Sequence, residues 1–151
     1  GLLHAGGDGV NQVFAIAAET AKFSFSEVKI GVVPACIGPY VIKKIGEGKA
    51  REFFITGERM PAEKAQKIGL VNICVPDDRL DDEVTSLIKM IMSSGPEAVA
   101  MAKVLVSNVP GMTEQQYKPY TAEMIARLRI SDEGQEGMSA FLEKRKPKWV
   151  K

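Results

Sequence analysis

Histidine is nearly missing from this chain. His4 is the single imidazole in 151 residues, which excludes metal sites built on two histidines and H-E-x-x-H proteases, and leaves one base for any serine or cysteine nucleophile. Cysteine is almost as scarce. Cys36 and Cys74 lie far apart with no partner at C-x-x-C spacing, so neither a redox motif nor a zinc ribbon can be built, and a reducing compartment fits. No sign of charge prevails: 20 basic and 19 acidic side chains leave a formal net charge of +1. The whole molecule therefore has no field to gather nucleic acid or an anionic membrane surface. No apolar run approaches the roughly 18–20 residues that span a bilayer, and Gly1-Leu2-Leu3-His4 is no basic leader, so a soluble chain is expected. G-x-x-x-x-G-K-[ST] and G-x-G-x-x-G are both absent; Gly6-Gly7-Asp8-Gly9 is glycine-rich without either pattern. The first residue is not methionine, which leaves a processed, recombinant or incomplete chain open from the outset.

What is present is the balance of a globular protein, 45% hydrophobic and 26% charged. A domain of this size buries roughly 68–70% of its unfolded surface and builds a core without disulfides or metals. Val13-Phe14-Ala15-Ile16-Ala17 is a short apolar run suited to a buried strand, and Lys22-Phe23-Ser24-Phe25-Ser26 alternates with the period of a half-covered strand. Gly31, Pro34, Gly38 and Pro39 punctuate a loop. A helix follows from Pro39 and stops at Gly46, with Lys43-Lys44 favourable to its dipole, and a second runs from Lys49 to Thr56. Thr56 to Pro61 reads as a turn, Ala62 to Ile68 as a short helix closed by Gly69, and Leu70 to Val75 as a strand ended by Pro76. Beyond Asp78 only helices are expected, near 81–93, 96–109, 112–129 and 132–145, with Pro96 and Pro110 as punctuation. The order predicts an α/β core over residues 1–93 and a helical region over 94–151.

Glu27 is the most informative acid, because it ends the alternating segment and opens the apolar stretch Val28-Lys29-Ile30-Gly31-Val32-Val33-Pro34. A carboxylate losing water on one side there is drawn toward the range useful for proton transfer; the alternative is a surface acid paired with Lys29 or Lys22. Ala5-Gly6-Gly7 can present backbone N–H groups to a developing negative charge, or form only an N-terminal turn. His4 reads as a surface or partly packed side chain, and Asp8 as a turn or capping residue. Phe141 to Lys151 holds five basic residues against one acid, with Phe141 and Trp149. It can clamp a phosphorylated, ring-containing ligand, or be a solvated helix end whose cations suit the dipole. The methionines from Met90 to Met138 read as helix packing.

The stretch Ile16-Ala17-Ala18-Glu19-Thr20-Ala21-Lys22-Phe23-Ser24-Phe25-Ser26-Glu27-Val28-Lys29-Ile30-Gly31-Val32-Val33-Pro34 resembles the central block of the crotonase (enoyl-CoA hydratase/isomerase) superfamily. Gly46 to Glu52, Thr56 to Ala65 and Gly69-Leu70-Val71-Asn72 are similar to the segments that follow, and Glu136 to Pro147 to the closing helix. The likeness runs from about residue 13 to the end. It implies an α/β fold, a partial spiral of ββα units over residues 1–93, followed by a helical C-terminal trimerisation region over 94–151. In that superfamily two backbone N–H groups hold a thioester carbonyl so that an enolate beside it is stabilised, and glutamates move the protons. Ala5-Gly6-Gly7-Asp8 is similar to the A-G-x-D motif whose alanine gives the first N–H, so Ala5 and Gly6 are the expected oxyanion donors. The G-G-G turn that supplies the second donor has no separate counterpart. Either Gly6-Gly7 is a remnant of it in an N-terminally truncated chain, or a segment between Asp8 and Gly9 is missing; the second reading is preferred.

Glu27 matches the proton-donating glutamate in the context F-x-x-x-E-V-x-x-G. Back-counting to the place of the other glutamate of two-carboxylate hydratases reaches Gly7, so a single acid remains, able to protonate an α-carbon in hydration or to shuttle a proton in isomerisation. Pro34-Ala35-Cys36-Ile37-Gly38-Pro39-Tyr40 resembles the form seen in hydratases of branched or unsaturated acyl-CoA esters, with Cys36 as a packing residue. Phe141 and Lys144 match positions that contact the adenine and phosphate of CoA, commonly from a neighbouring subunit. The resemblance thus implies an acyl-CoA hydratase, with an enoyl-CoA isomerase or a non-catalytic CoA-binding module as alternatives. It further implies no metal or redox cofactor, a homotrimer or dimer of trimers, no nucleic-acid or membrane partner, and a cytoplasmic location, or the mitochondrial matrix in a eukaryote.

Overall fold

The computed structural model describes residues 14–150. Four short strands and six helices follow in chain order: β1 (Ile16–Ala18), β2 (Lys22–Phe23), α1 (Gly38–Thr56), β3 (Met60–Pro61), α2 (Ala62–Lys67), β4 (Ile73–Val75), α3 (Leu80–Met92), α4 (Pro96–Asn108), α5 (Glu114–Ile130) and α6 (Asp132–Leu142). Two compact units divide inside α3, between Thr85 and Ser86.

In the first unit β1 pairs in parallel with β4, Ala17 opposite Cys74. A parallel pair needs a long crossover, and α1 and α2 lie within it. β2 and β3 form a second, antiparallel pair, Phe23 opposite Met60. Phe53, Met60, Ala62 and Ala65 are fully buried between these elements. Two small alanines on α2 let the helix approach the sheet closely, while Phe53 and Met60 fill the volume between. The break expected at Gly46 is present: this residue has φ 78° and ψ 160°, and the chain resumes as helix on its far side. Gly69, with φ 81°, follows α2 in the left-handed conformation expected of it.

The alternating segment behaves differently from its pattern. Only Lys22 and Phe23 join a strand, because the partner β3 is two residues long: beyond the Phe23–Met60 pair, Ser24 and Phe25 would lie opposite Arg59 and Glu58, which are not in a strand. Phe25 still turns inward and is buried, edge-on to Phe54 with ring centroids 5.0 Å apart. The chain then coils into a 3-10 helix over Ser26–Ile30. Glu27 therefore sits in the first turn of a short helix rather than at a strand end. The predicted turn at Thr56 to Pro61 likewise contains β3, and Cys36, expected to pack, is exposed.

The second unit is helical, as expected, and is held by helix ends more than by a core. Among its described residues only Gly95 and Ala140 are buried. Thr113 and Gln116 form a capping box at the start of α5. Ser131 caps α6 by accepting from the Gly134 N–H at 3.1 Å. The Glu133 carboxylate reaches the start of α4, accepting from the Glu97 and Ala98 amides at 2.8 Å each, which satisfies two N–H groups that a helix leaves unpaired. A cleft of about 450 Å³ runs between α4 and α5, with apolar walls that include Met101, Leu105, Ile125 and Leu128.

Phe53→Ala removes a fully buried ring and is expected to cost about 3–5 kcal/mol, whereas Gly48→Ala, with open space around the added methyl, should gain up to about 1 kcal/mol. Urea unfolding of both variants checks the two signs.

Candidate functional site

Glu27 owes its place to a glycine thirty residues further on. Gly57 ends α1 with φ 57°, and its N–H returns to the Phe53 carbonyl at 3.0 Å. An L-residue resists that conformation by roughly 1–2 kcal/mol. The bare Cα face also serves as a seat: a methyl built there would lie 3.1 Å from Val28 Cγ2 and 3.0 Å from Lys29 Cε. Ser24 Oγ donates to the Gly57 carbonyl at 3.3 Å from the other side. Thus the residues just before and just after Glu27 are both anchored on the same α1 terminus.

The turn is closed by its own backbone. Gly31, φ 81°, donates to the Val28 carbonyl at 3.3 Å, and the Val32 N–H donates to the Glu27 carbonyl at 3.1 Å. The side chain of Glu27 is left with a buried Oε2 that has no hydrogen-bond partner among the described residues. Neither Lys22 nor Lys29 pairs with it, in contrast to the surface-acid alternative. An unsatisfied buried oxygen costs about 1–3 kcal/mol, and most buried polar atoms in folded proteins avoid it. This one is a carboxylate oxygen with free lone pairs, able to take a proton from a ligand or return one. The next residues, Ile30, Val32 and Val33, are apolar and exposed.

Phe141 and Lys144 belong to the second unit. Phe141 lies on the last turn of α6 and is 82% exposed. Lys144 follows in the left-handed conformation, φ 55°, alone among described non-glycine residues. Its N–H donates to the Phe141 carbonyl at 3.2 Å and the Arg145 N–H donates to the Ala140 carbonyl at 3.0 Å. That pair of bonds is the Schellman ending of a helix, which glycine normally occupies at this residue. Glu136 holds the turn from the side of α6. Its carboxylate accepts from Arg145 Nη1 at 2.6 Å, Arg145 Nη2 at 3.1 Å and the Lys148 N–H at 3.0 Å. The forked Arg145 bond, ahead of the Lys148 amide and the nearby charges, holds the Glu136 carboxyl down at about 2, and the same contact raises Arg145. Trp149 Nε1 donates to the Ser93 carbonyl at 3.2 Å and its ring lies over Gly137.

Ala5 and Gly6, the expected oxyanion donors, lie outside the described residues, as do His4 and Asp8. Among the described residues no group of three or more His, Cys, Asp or Glu is placed to hold a metal ion. Sequence reasoning missed Gly57 and Glu136. The first was legible only as a turn residue; the second pairs with Arg145 across a helix end, where no helical spacing marks the contact.

Because the Glu136 carboxyl is lowered from 4.5 to about 2 on folding, its contribution to stability is complete above the higher value and fades as acid protonates the folded form. The difference in urea midpoint between wild type and Glu136→Gln should hold steady above pH 4.5 and shrink toward pH 2. A difference independent of pH across that window contradicts the pairing.

Comparison with known proteins places the chain in a family. The sequence model described as enoyl-CoA hydratase/isomerase matches residues 1–151. A Dictyostelium discoideum protein named "Probable enoyl-CoA hydratase, mitochondrial" is 38% identical over 135 residues, covering 89% of this chain and 49% of that protein. The crotonyl-CoA hydratase of Syntrophomonas wolfei is 32% identical over 138 residues, covering 91% and 53%. The crystal structure of an enoyl-CoA hydratase from Shewanella pealeana superposes with a TM-score of 0.84 at 42% identity, covering 90% of this chain and 51% of that one. The chain spans about half the length of the relatives it matches. Its architecture is a partial α/β crotonase fold followed by C-terminal helices. The chain belongs to the enoyl-CoA hydratase/isomerase family.

Proposed function

We propose that the protein adds water across the double bond of an enoyl-CoA thioester, with Glu27 moving the proton. The observation that carries this reading is the buried Oε2 of Glu27, which has no hydrogen-bond partner among the described residues, held in a turn beside an exposed apolar strip. In the proposed reaction the thioester carbonyl is polarised by main-chain N–H groups, for which Ala5 and Gly6 are the candidates. Water oxygen bonds to the β-carbon as one of its protons passes to the Glu27 carboxylate, the carbonyl oxygen takes the negative charge, and Glu27 returns that proton to the α-carbon as the carbonyl reforms. No metal or redox group is required by this sequence of steps. The hydratase names of the relatives support the choice of reaction. A single placed carboxylate favours the isomerase alternative, in which Glu27 carries one proton between two carbons.

The nucleotide end of the thioester is assigned to the Phe141 ring, by stacking, and the Lys144 ammonium, by attraction to phosphate. A homotrimer or dimer of trimers is proposed as the assembly; the apolar cleft between α4 and α5 and the nearly coreless second unit support self-association. No described helix is long and apolar enough to cross a membrane, and a cytoplasmic or mitochondrial-matrix site is proposed with no nucleic-acid partner.

Glu27→Gln is expected to lower turnover by on the order of 10²–10⁴ while thioester binding changes little. Assays with 2-enoyl and 3-enoyl CoA esters in deuterium oxide should show water addition with deuterium at the α-carbon. Double-bond migration without water addition overturns the hydratase reading in favour of the isomerase. Full turnover in Glu27→Gln removes Glu27 from both.

A further inference from the structure

The turn after α6 combines two features that local stability alone does not explain. Its left-handed residue is a lysine where glycine would be unstrained. Around it the chain is over-determined, with Arg145 shared by Glu136 and by Glu143 at 2.7 Å, and the Lys148 amide drawn onto the same Glu136 carboxylate. Strained backbone persists where the surroundings compel it, and it is retained where the side chain is needed at that point.

We propose that Glu136 is a positioning residue for the nucleotide end of the CoA ester: by fastening Arg145 and the Lys148 backbone to the flank of α6, it holds Lys144 left-handed and sets its ammonium relative to the Phe141 ring. The inference rests on the reading above that Phe141 and Lys144 contact CoA. Phe141 needs no such help, because it lies within the helix. Lys144 does, because it stands beyond the last helical residue, where otherwise only the two backbone bonds of the turn oppose a right-handed continuation. The Glu136 carboxylate is taken up by Arg145 and the Lys148 N–H, so the effect proposed for it on binding runs through the turn that carries Lys144.

The test is a double-mutant cycle on the full chain, with coenzyme A as the titrant in calorimetry and thermal unfolding recorded for every variant. Lys144→Ala should weaken binding about tenfold, the scale of one charged contact. Glu136→Gln, which keeps the shape but loses the charge, should weaken it several-fold while Lys144 is present and have no further effect once Lys144 is alanine. A loss of equal size in both backgrounds, or no loss in either, overturns the positioning role. Unchanged binding in Lys144→Ala instead removes the CoA contact itself, and the proposal with it. Should Glu136→Gln not fold, Arg145→Lys takes its place in the cycle, since it keeps the charge and loses the forked geometry; the same pattern of effects is required of it.

Discussion

The seat that Gly57 offers to the Ser26–Ile30 turn is the contact on which the first unit's chemistry depends. One residue in a left-handed conformation ends α1 and leaves a methyl-sized gap at its Cα. Val28 and Lys29 occupy that gap, and Ser24 bonds to the carbonyl beside it. Phe25, buried against Phe54, pins the chain between these points. With its neighbours held on both sides, Glu27 has little freedom to swing its carboxylate out to water. The buried oxygen, without a partner among the described residues, is thus a consequence of packing that would be undone by a larger residue at position 57. Fold stability there goes into keeping the Glu27 carboxylate in place.

Much of this was readable from residue types. Gly46 and Gly69 mark helix ends by their conformational freedom, and Pro96 marks a helix start, because those effects are local. The strand over 22–26 was not, since a period of two records only which side chains face inward. Phe23 and Phe25 do face inward, but how many residues join a ladder depends on the partner, and the partner offers Met60 and Pro61 alone. Glu27 is legible in the sequence as an acid next to an apolar stretch. That neither Lys22 nor Lys29 pairs with it is known only from coordinates, because both stand near enough in sequence to have neutralised it.

The second unit shows a different economy. Its helices bury one small side chain among the described residues and are joined instead by carboxylates on backbone amides: Glu133 on the start of α4, Glu136 on the turn after α6. Such contacts are directional where apolar packing is not, so they define helix ends closely while leaving the faces of α4 and α5 apolar and open. Membership of the enoyl-CoA hydratase/isomerase family accommodates both halves of this picture. One unit presents the Glu27 carboxylate proposed to move protons, and the other presents a cationic, aromatic helix end.

A crystal structure of the protein with an unsaturated acyl-CoA ester bound is the most direct measurement. The Glu27 carboxylate should then stand within about 3.2 Å, or one water molecule, of the carbons that gain or lose a proton, with Oε2 turned toward the ligand. A carboxylate turned to bulk water, with the acyl group lodged elsewhere, would contradict the assignment of Glu27 and the chemistry built upon it.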